Sequence, residues 1–356
     1  MLNKFIVLLL LLMFCNCVCA QSDKLSIKLK INNIEKEIYF SKSSVVQLQK
    51  RKIYNKRINK IIEFGGIKDS LLFSPSGIKT DKRGNIFILD YVGRFVKKFS
   101  TNGKLIKQYG RSGRGPGEFL TPFRIYLDVQ DSLYVYDNQN MKLTAFLEKI
   151  YEFNTTNGLF IEFCPISKWK IIILKGEPNS VELMETRNIN GKLLSKFENL
   201  LEKKVIPPES FYLANIIAGN ILRLSSSRIV HIPEYYNQLI FYNENKIERI
   251  TSTVDGPSNP LFKIESRGKG SILNFNDLEK YQINHNSFVI NNDIYVLSKP
   301  GTKNKKLMFD IYSSENGSYK YSIRIPIPED FYIIHMTDNK IYLITTEMKV
   351  AIYSYE

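Results

Sequence analysis

Histidine, cysteine and tryptophan are scarce in this 356-residue chain, which holds three, four and one of them. Three histidines leave little room for a metal centre or an acid–base pair. Three of the cysteines, Cys15, Cys17 and Cys19, fall in the N-terminal apolar segment, and only Cys164 lies beyond it. A single thiol forms no internal disulfide, so stability has to come from a packed core. Cys164 sits between Phe163 and Pro165 with no histidine close in sequence. It reads as a buried, inert thiol and not as a nucleophile. No Ser occupies a Gly-x-Ser-x-Gly elbow. The Gly-rich run 110–117 could cradle an anion on its backbone N–H groups, but it lacks the Gly-Lys-Ser/Thr ending of a nucleotide loop.

Acidic residues are outnumbered, 35 against 50 Lys and Arg, for a net charge of +15. Such a surface favours acidic partners: polyanionic glycans, anionic membrane surfaces or nucleic acid. The N-terminus removes the last of these. Lys4 precedes an apolar run over 5–14 that is too short to span a bilayer, and Val18-Cys19-Ala20 offers a cleavage site before Gln21. Residues 1–20 are therefore expected to be a signal peptide. The mature chain is then exported to the periplasm, cell envelope or exterior, without a transmembrane segment. The residues before the early cysteines are Phe14, Asn16 and Val18, not the small ones that a lipid-attachment site favours, so a lipid anchor is not expected.

What the chain has in abundance is Tyr (21) and Phe (22), residues that suit a pleated, half-buried surface. It also repeats. Pro75, Asp81, Asp90 and Phe99 return as Pro122, Asp128, Asp137 and Phe146, each 47 residues on, a step in the range of propeller blades. One apolar strand type recurs six times: at Ile86-Phe87-Ile88-Leu89, Leu133-Tyr134-Val135-Tyr136, Ile171-Ile172-Ile173-Leu174, Ile229-Val230, Ile294-Tyr295-Val296 and Ile341-Tyr342-Leu343. These runs are apolar at nearly every position, as in strands buried on both faces, and are expected to be the inner strands of six blades. A second type, expected to be outer, follows Asn-Gly turns at Asn102-Gly103, Asn190-Gly191 and Asn316-Gly317. Asn-Gly suits type I′ hairpins, where both central residues need positive φ. The sixth outer strand is missing from the C-terminus but present at Lys60-Ile61-Ile62-Glu63-Phe64, so an N-terminal strand is expected to close the ring. The chain thus reads as all-β: a six-bladed β-propeller of four-stranded blades over 59–356. Residues 21–58 form a strand segment and linker, with strands expected at Ser26 to Ile31 and Val45 to Leu48 and a solvated basic run at Lys50-Arg51-Lys52.

The stretch 110–119, with Pro122, Ile125 and Asp128 after it and Leu133 to Asp137 to Asn140 beyond, resembles an NHL repeat. The chain is similar to exported six-bladed NHL-type propellers common in Bacteroidetes-like bacteria. Lactonase-type enzymes on six-bladed propellers gather Glu, Asn and Asp around a channel cation. Peptide-amidating lyases that resemble NHL propellers bind zinc. His231, His285 and His335 occupy inequivalent positions in their blades, so a shared metal site is not expected. The long connections 65–73, 110–121, 198–220 and 251–284 are expected to share one face with the loops after Asp90 and Asp137. Candidate ligand contacts on that face are Asp90, Arg94, Arg114, Asp137 and Asn140. The leading expectation is a monomeric, non-catalytic binding or scaffold module for a protein, peptide or glycan, with no cofactor. A divalent-cation-dependent hydrolase or lyase centred on the channel is the alternative.

Overall fold

The computed structural model describes residues 22–31, 33–69, 71–155, 158–202, 212–256, 258, 260–267, 270–274, 284–303 and 305–356. The expected signal segment, with Cys15, Cys17 and Cys19, lies outside the described residues. The rest is built from strands. Blade one holds Pro75–Thr80, Ile86–Asp90, Phe95–Phe99 and Leu105–Tyr109, joined antiparallel in chain order. Blade two repeats it with Pro122–Leu127, Leu133–Asp137, Lys142–Phe146 and Ile150–Asn154. Blades three, four and five begin at Leu159–Ser167, Gly219–Arg223 and Asn284–Ile290. Blade six starts at Phe331–Met336, and its outermost strand is Ile58–Gly65, which pairs antiparallel with Lys349–Tyr355. The N-terminal strand closes the ring as its sequence implied.

The first strands of successive blades touch in a closed cycle, one to two and on to six and back to one, so they line the axis. This corrects one expectation. The continuously apolar runs are second strands, not innermost ones. Ile86–Asp90 and Leu133–Asp137 are buried at every residue because neighbouring blades cover both faces. The first strands are only partly buried, as Pro75–Thr80 is, because one side of each faces the axis. Burial between blades is nearly complete, with Ile86, Ile88, Leu89, Phe99 and Tyr134 all at 0% exposure.

The Asn-Gly turns also differ from expectation. Gly103, Gly191 and Gly317 have φ of 78°, 81° and 74°, but the asparagines before them do not have positive φ. Gly103 N–H donates to Ser100 O, and Ser100 N–H to Lys104 O, which is a type I turn closed by a glycine bulge. Both-positive turns occur at Glu244-Asn245 (47°, 67°) and Asn291-Asn292 (49°, 63°), where Asn and Glu bear the strain that Gly would avoid.

The N-terminal segment is more ordered than a linker. Ser26–Ile31 forms a hairpin with Ile34–Tyr39, not with the Val45 region. It also pairs in parallel with Leu261–Arg267, which lies inside the long connection between blades four and five. Ile27 and Leu29 of this added sheet, and Phe40 just after it, pack with Leu213, Ile217, Tyr236 and Phe262 in one apolar cluster. Farther on, Ile53–Asn55 adds in parallel to the outer edge of blade five. Arg51, expected in solvent, is 21% exposed and ion-paired to Asp255 and Asp310.

Candidate functional site

Strand directions put the starts of the first strands and the ends of the second strands at one end of the ring. The long connections between blades gather there too. The added sheet occupies part of that face, because the 251–284 connection supplies two of its strands. The longest loop is thus largely committed to the fold.

Asp90 and Asp137 sit at equivalent positions on this face, and both are fully buried. Asp90 accepts backbone N–H bonds from Phe73 (2.6 Å), Ser74 (3.1 Å) and Gly93 (2.7 Å). Asp137 accepts them from Leu120 (2.6 Å), Thr121 (3.1 Å), Gln139 (3.1 Å) and Asn140 (3.0 Å). Each carboxylate ties the incoming connection to the turn after the second strand, and its lone pairs are spent on doing so. Asn140 serves the same clamp, donating Nδ2–H to Asp137 (3.0 Å) and to Gly113 O (3.2 Å). Arg94, with φ of 56°, donates to Ser112 Oγ (2.7 Å), and Arg114 is exposed in the Gly-rich loop. Of the five sequence candidates, three hold loops in place and the two arginines lie beside them.

The Gly-rich loop cradles anions that the chain itself supplies. Gly115 N–H donates to Glu118 Oε2 and Gly117 N–H to Glu152 Oε1, each at 2.9 Å. The Gly115 bond, with the nearby Arg111, holds the Glu118 carboxyl below its usual range.

The axial channel is a cavity of about 210 Å3 lined by the first strands of all six blades. Pairing with the second strands fixes which residues share a level. The upper ring is Gly77, Arg124, Glu162, Asn220 and Ile333, with Asn286 of the blade-five bulge beside them. One step down come Lys79, Tyr126, Cys164, Leu222, Phe288 and His335. Above both, the register shifts by a β-bulge in blades one, two, three, five and six. Bulges re-aim side chains, and Ser76, Phe123 and Tyr332 at these bulges line the channel. Phe123 and Tyr332 are about half exposed, at 50% and 49%, as are Phe73 and Tyr91 nearby on blade one. Phe123 and Tyr332 form an aromatic rim at the mouth, on blades two and six.

Charge in the channel is sparse, and Arg124 and Glu162 form an ion pair there. Arg124 Nε approaches Glu162 Oε2 at 3.3 Å without forming a hydrogen bond. Burial raises the Glu162 carboxyl against the pull of Arg124. Lys79 lies over the Tyr126 ring at 4.7 Å, and burial pushes its ammonium down. His335 Nε2 meets Thr80 Oγ1 at 2.9 Å, and burial pushes the imidazole down to about 3, so it is neutral. His335 Nδ1, Ser76 Oγ, Ser287 Oγ and Arg124 Nε are buried with no hydrogen-bond partner.

His231 and His335 do not converge. His231 is on the second strand of blade four, its Nε2 2.8 Å from Ile217 O, while His335 lines the channel. The His285 side chain lies outside the described residues. Among the described residues no three His, Cys, Asp or Glu side chains form a metal-binding group. Cys164 is 3% exposed, and burial pushes its thiol up to about 12.

A family model described as a 6-bladed beta-propeller, DUF5128, matches residues 33–257. The chain belongs to this family. No curated protein matches the sequence. Among solved structures it is similar to a Bacteroides fragilis protein named as exported, with 11% identity and a TM-score of 0.52 over 85% of this chain and 99% of that one. It is also similar to a DUF4221 family member from Bacteroides vulgatus, with 13% identity and a TM-score of 0.53 over 84% and 98%. Both likenesses are likenesses of fold. Sequence reasoning missed the channel lining, because its residues lie on first strands that are only partly buried, like any edge strand. The bulges shift the register as well. The 47-residue repeat was the one usable signal, since it places Arg124 opposite Gly77 and Tyr126 opposite Lys79.

Proposed function

We propose that the mature chain is an exported, non-catalytic binding or scaffold propeller of the periplasm, cell envelope or exterior. It engages a protein, peptide or glycan at the channel mouth on the loop face. The observation that carries this reading is the pairing of an exposed aromatic rim with buried, unpartnered polar atoms just beneath it. Unsatisfied polar groups in a wall are costly unless a ligand or water meets them. Most binding pockets combine an apolar body with a few convergent polar groups in this way. The leader-like N-terminus supports export. No helix among the described residues is long and apolar enough to cross a membrane.

The donor set favours binding over divalent-cation chemistry. Among the described lining residues Glu162 is the one carboxylate, and it faces Arg124 with Lys79 close enough to pull on it. A divalent cation placed there would meet two positive side chains and one negative. Oxygen-rich sites for such ions need several carboxylates or carbonyls.

The test is capture of partners from crosslinked envelopes with tagged residues 21–356, comparing the natural chain with a Phe123→Ala, Tyr332→Ala double variant. A partner bound by the first and lost by the second is the expected result. An unchanged set of partners would remove the channel mouth from the reading.

A further inference from the structure

We infer that the channel mouth is a site for an acidic sugar residue, its single carboxylate held between Arg124 and Lys79 and its ring stacked on Phe123 and Tyr332. This rests on the proposed binding role and names the chemistry of its ligand.

The charge count sets the anion. Arg124 and Lys79 give two positive charges and Glu162 one negative, while the neutral His335 adds none. A single carboxylate balances that sum. A phosphate dianion overshoots it and meets Glu162 at close range. Both cations keep donors to spare, although Arg124 is ion-paired to Glu162 and lies over one face of the Phe123 ring at 5.0 Å. Arg124 makes no hydrogen bond to protein among the described residues, and Lys79 has an aromatic ring as its partner. A guanidinium fork and an ammonium on adjacent blades suit the two oxygens of a carboxylate.

The remaining wall suits hydroxyl groups. Ser76 Oγ and Ser287 Oγ each donate and accept, and His335 Nδ1 offers whichever role its tautomer leaves. Asn220 on the upper ring and Asn286 beside it add amides. Hydroxyls, which also donate and accept, can satisfy all of these at once. A cavity of about 210 Å3 is the room of about seven waters at 30 Å3 each, on the scale of one sugar ring. The exposed faces of Phe123 and Tyr332 then take the C–H face of that ring.

A peptide fits less well. Extended peptides are recognised by adding a strand to a sheet edge. The inner edges here are broken at the mouth by bulges at Ser76, Phe123 and Tyr332, which interrupt the ladder a peptide would need.

Calorimetric titration of the mature chain tests the assignment with four probes: glucuronate, glucose, glucose 6-phosphate and acetyl-trialanine. Glucuronate is expected to bind, with glucose and the phosphate ester each at least tenfold weaker. Arg124→Gln and Lys79→Met should each weaken glucuronate by about tenfold to a hundredfold, the worth of one charge-assisted hydrogen bond. Glu162→Gln should narrow the gap between glucuronate and the phosphate ester. Circular dichroism melts identify any variant that fails to fold, and the other cation variant then carries the test. Equal binding of glucose and glucuronate, or glucuronate binding indifferent to both cations, overturns the inference. Tripeptide binding that needs Phe123 and Tyr332, without glucuronate binding, overturns the sugar and leaves the channel mouth as the site. No binding of any probe, with partner capture unaffected by the rim variant, overturns the binding role as well.

Discussion

Replacing Arg51 by Met should cost about 3–5 kcal/mol, the range for stripping a partner from a buried carboxylate. Arg51 grips Asp310 with two nitrogens, Nε to Oδ1 at 2.9 Å and Nη2 to Oδ2 at 2.8 Å. It reaches Asp255 at 2.6 Å and Ser298 at 3.1 Å as well. Asp310 is 1% exposed, on the third strand of blade five, and keeps one further bond, from Ser322 Oγ at 2.6 Å. Burial already pushes the Asp310 carboxyl up, with Arg51 pulling the other way. Removing the guanidinium leaves burial unopposed, so the folded-state value rises further above the unfolded one. A raised carboxyl contributes stability below the unfolded value and loses it as pH rises through the folded value. The deficit of Arg51→Met should therefore be larger at pH 8 than at pH 5. Urea unfolding at both pH values measures it. Adding Asp310→Asn should recover part of the loss, since the stranded charge goes with it. A deficit under about 1 kcal/mol at pH 8 would mean the pair behaves like a surface bridge, and Arg51 would not hold the N-terminal segment to blade five as described. The exposed pair Lys305–Asp330, 61% and 68% exposed, is the control, and its loss should leave the melt unmoved.

Three other expectations follow from the same structure. His231 is fully buried against Ile217 O, and burial pushes it down to about 4. Its share of stability is present above the unfolded value near 6.5 and fades as pH falls toward 4, at about 1.4 kcal/mol per unit. Its ring resonances should not titrate above pH 5, and His231→Gln should flatten that part of the stability profile. Asp90→Ala strands the N–H groups of Phe73, Ser74 and Gly93, at a cost of about 2–4 kcal/mol by chemical denaturation, with Asp137→Ala similar. Cys164, with its thiol pushed up to about 12, should resist a thiol-specific chromogen at pH 8 until the chain is unfolded.

The ring was legible because its signals are local and repeated. Second strands are covered on both faces, so their composition alone marks them. Asp81 and Asp128 recur because each closes its turn the same way, accepting from Arg83 and Asn85 in one blade and Gln130 and Ser132 in the next. The period fades later because the position of Asp90 and Asp137 passes to Lys175, Pro233, Ser298 and Thr345. Those blades anchor their connections by other means. The candidate site was less legible. Asp90 and Asp137 look like ligands in sequence, since a carboxylate aimed at solvent and one aimed at backbone are spelled alike. Arg51 sits in a basic triplet that reads as solvated, and its acidic partners lie more than 200 residues away.

The closing strand of blade six also sets a schedule. Ile58–Gly65 can find Lys349–Tyr355 only after the five intervening blades have been gathered, and a gap of nearly 300 residues separates the two. Closing it costs about 3.5 kcal/mol more loop entropy than a five-residue hairpin, on a logarithmic scale. Blades one to five can zip locally, while blade six stays one strand short until the end. For that interval the molecule is an open arc, with the edge of Lys349–Tyr355 bare and the facing sides of blades one and six uncovered. Its exposure to aggregation is thus governed by how quickly the two ends of the arc meet, and not by the stability of any single blade.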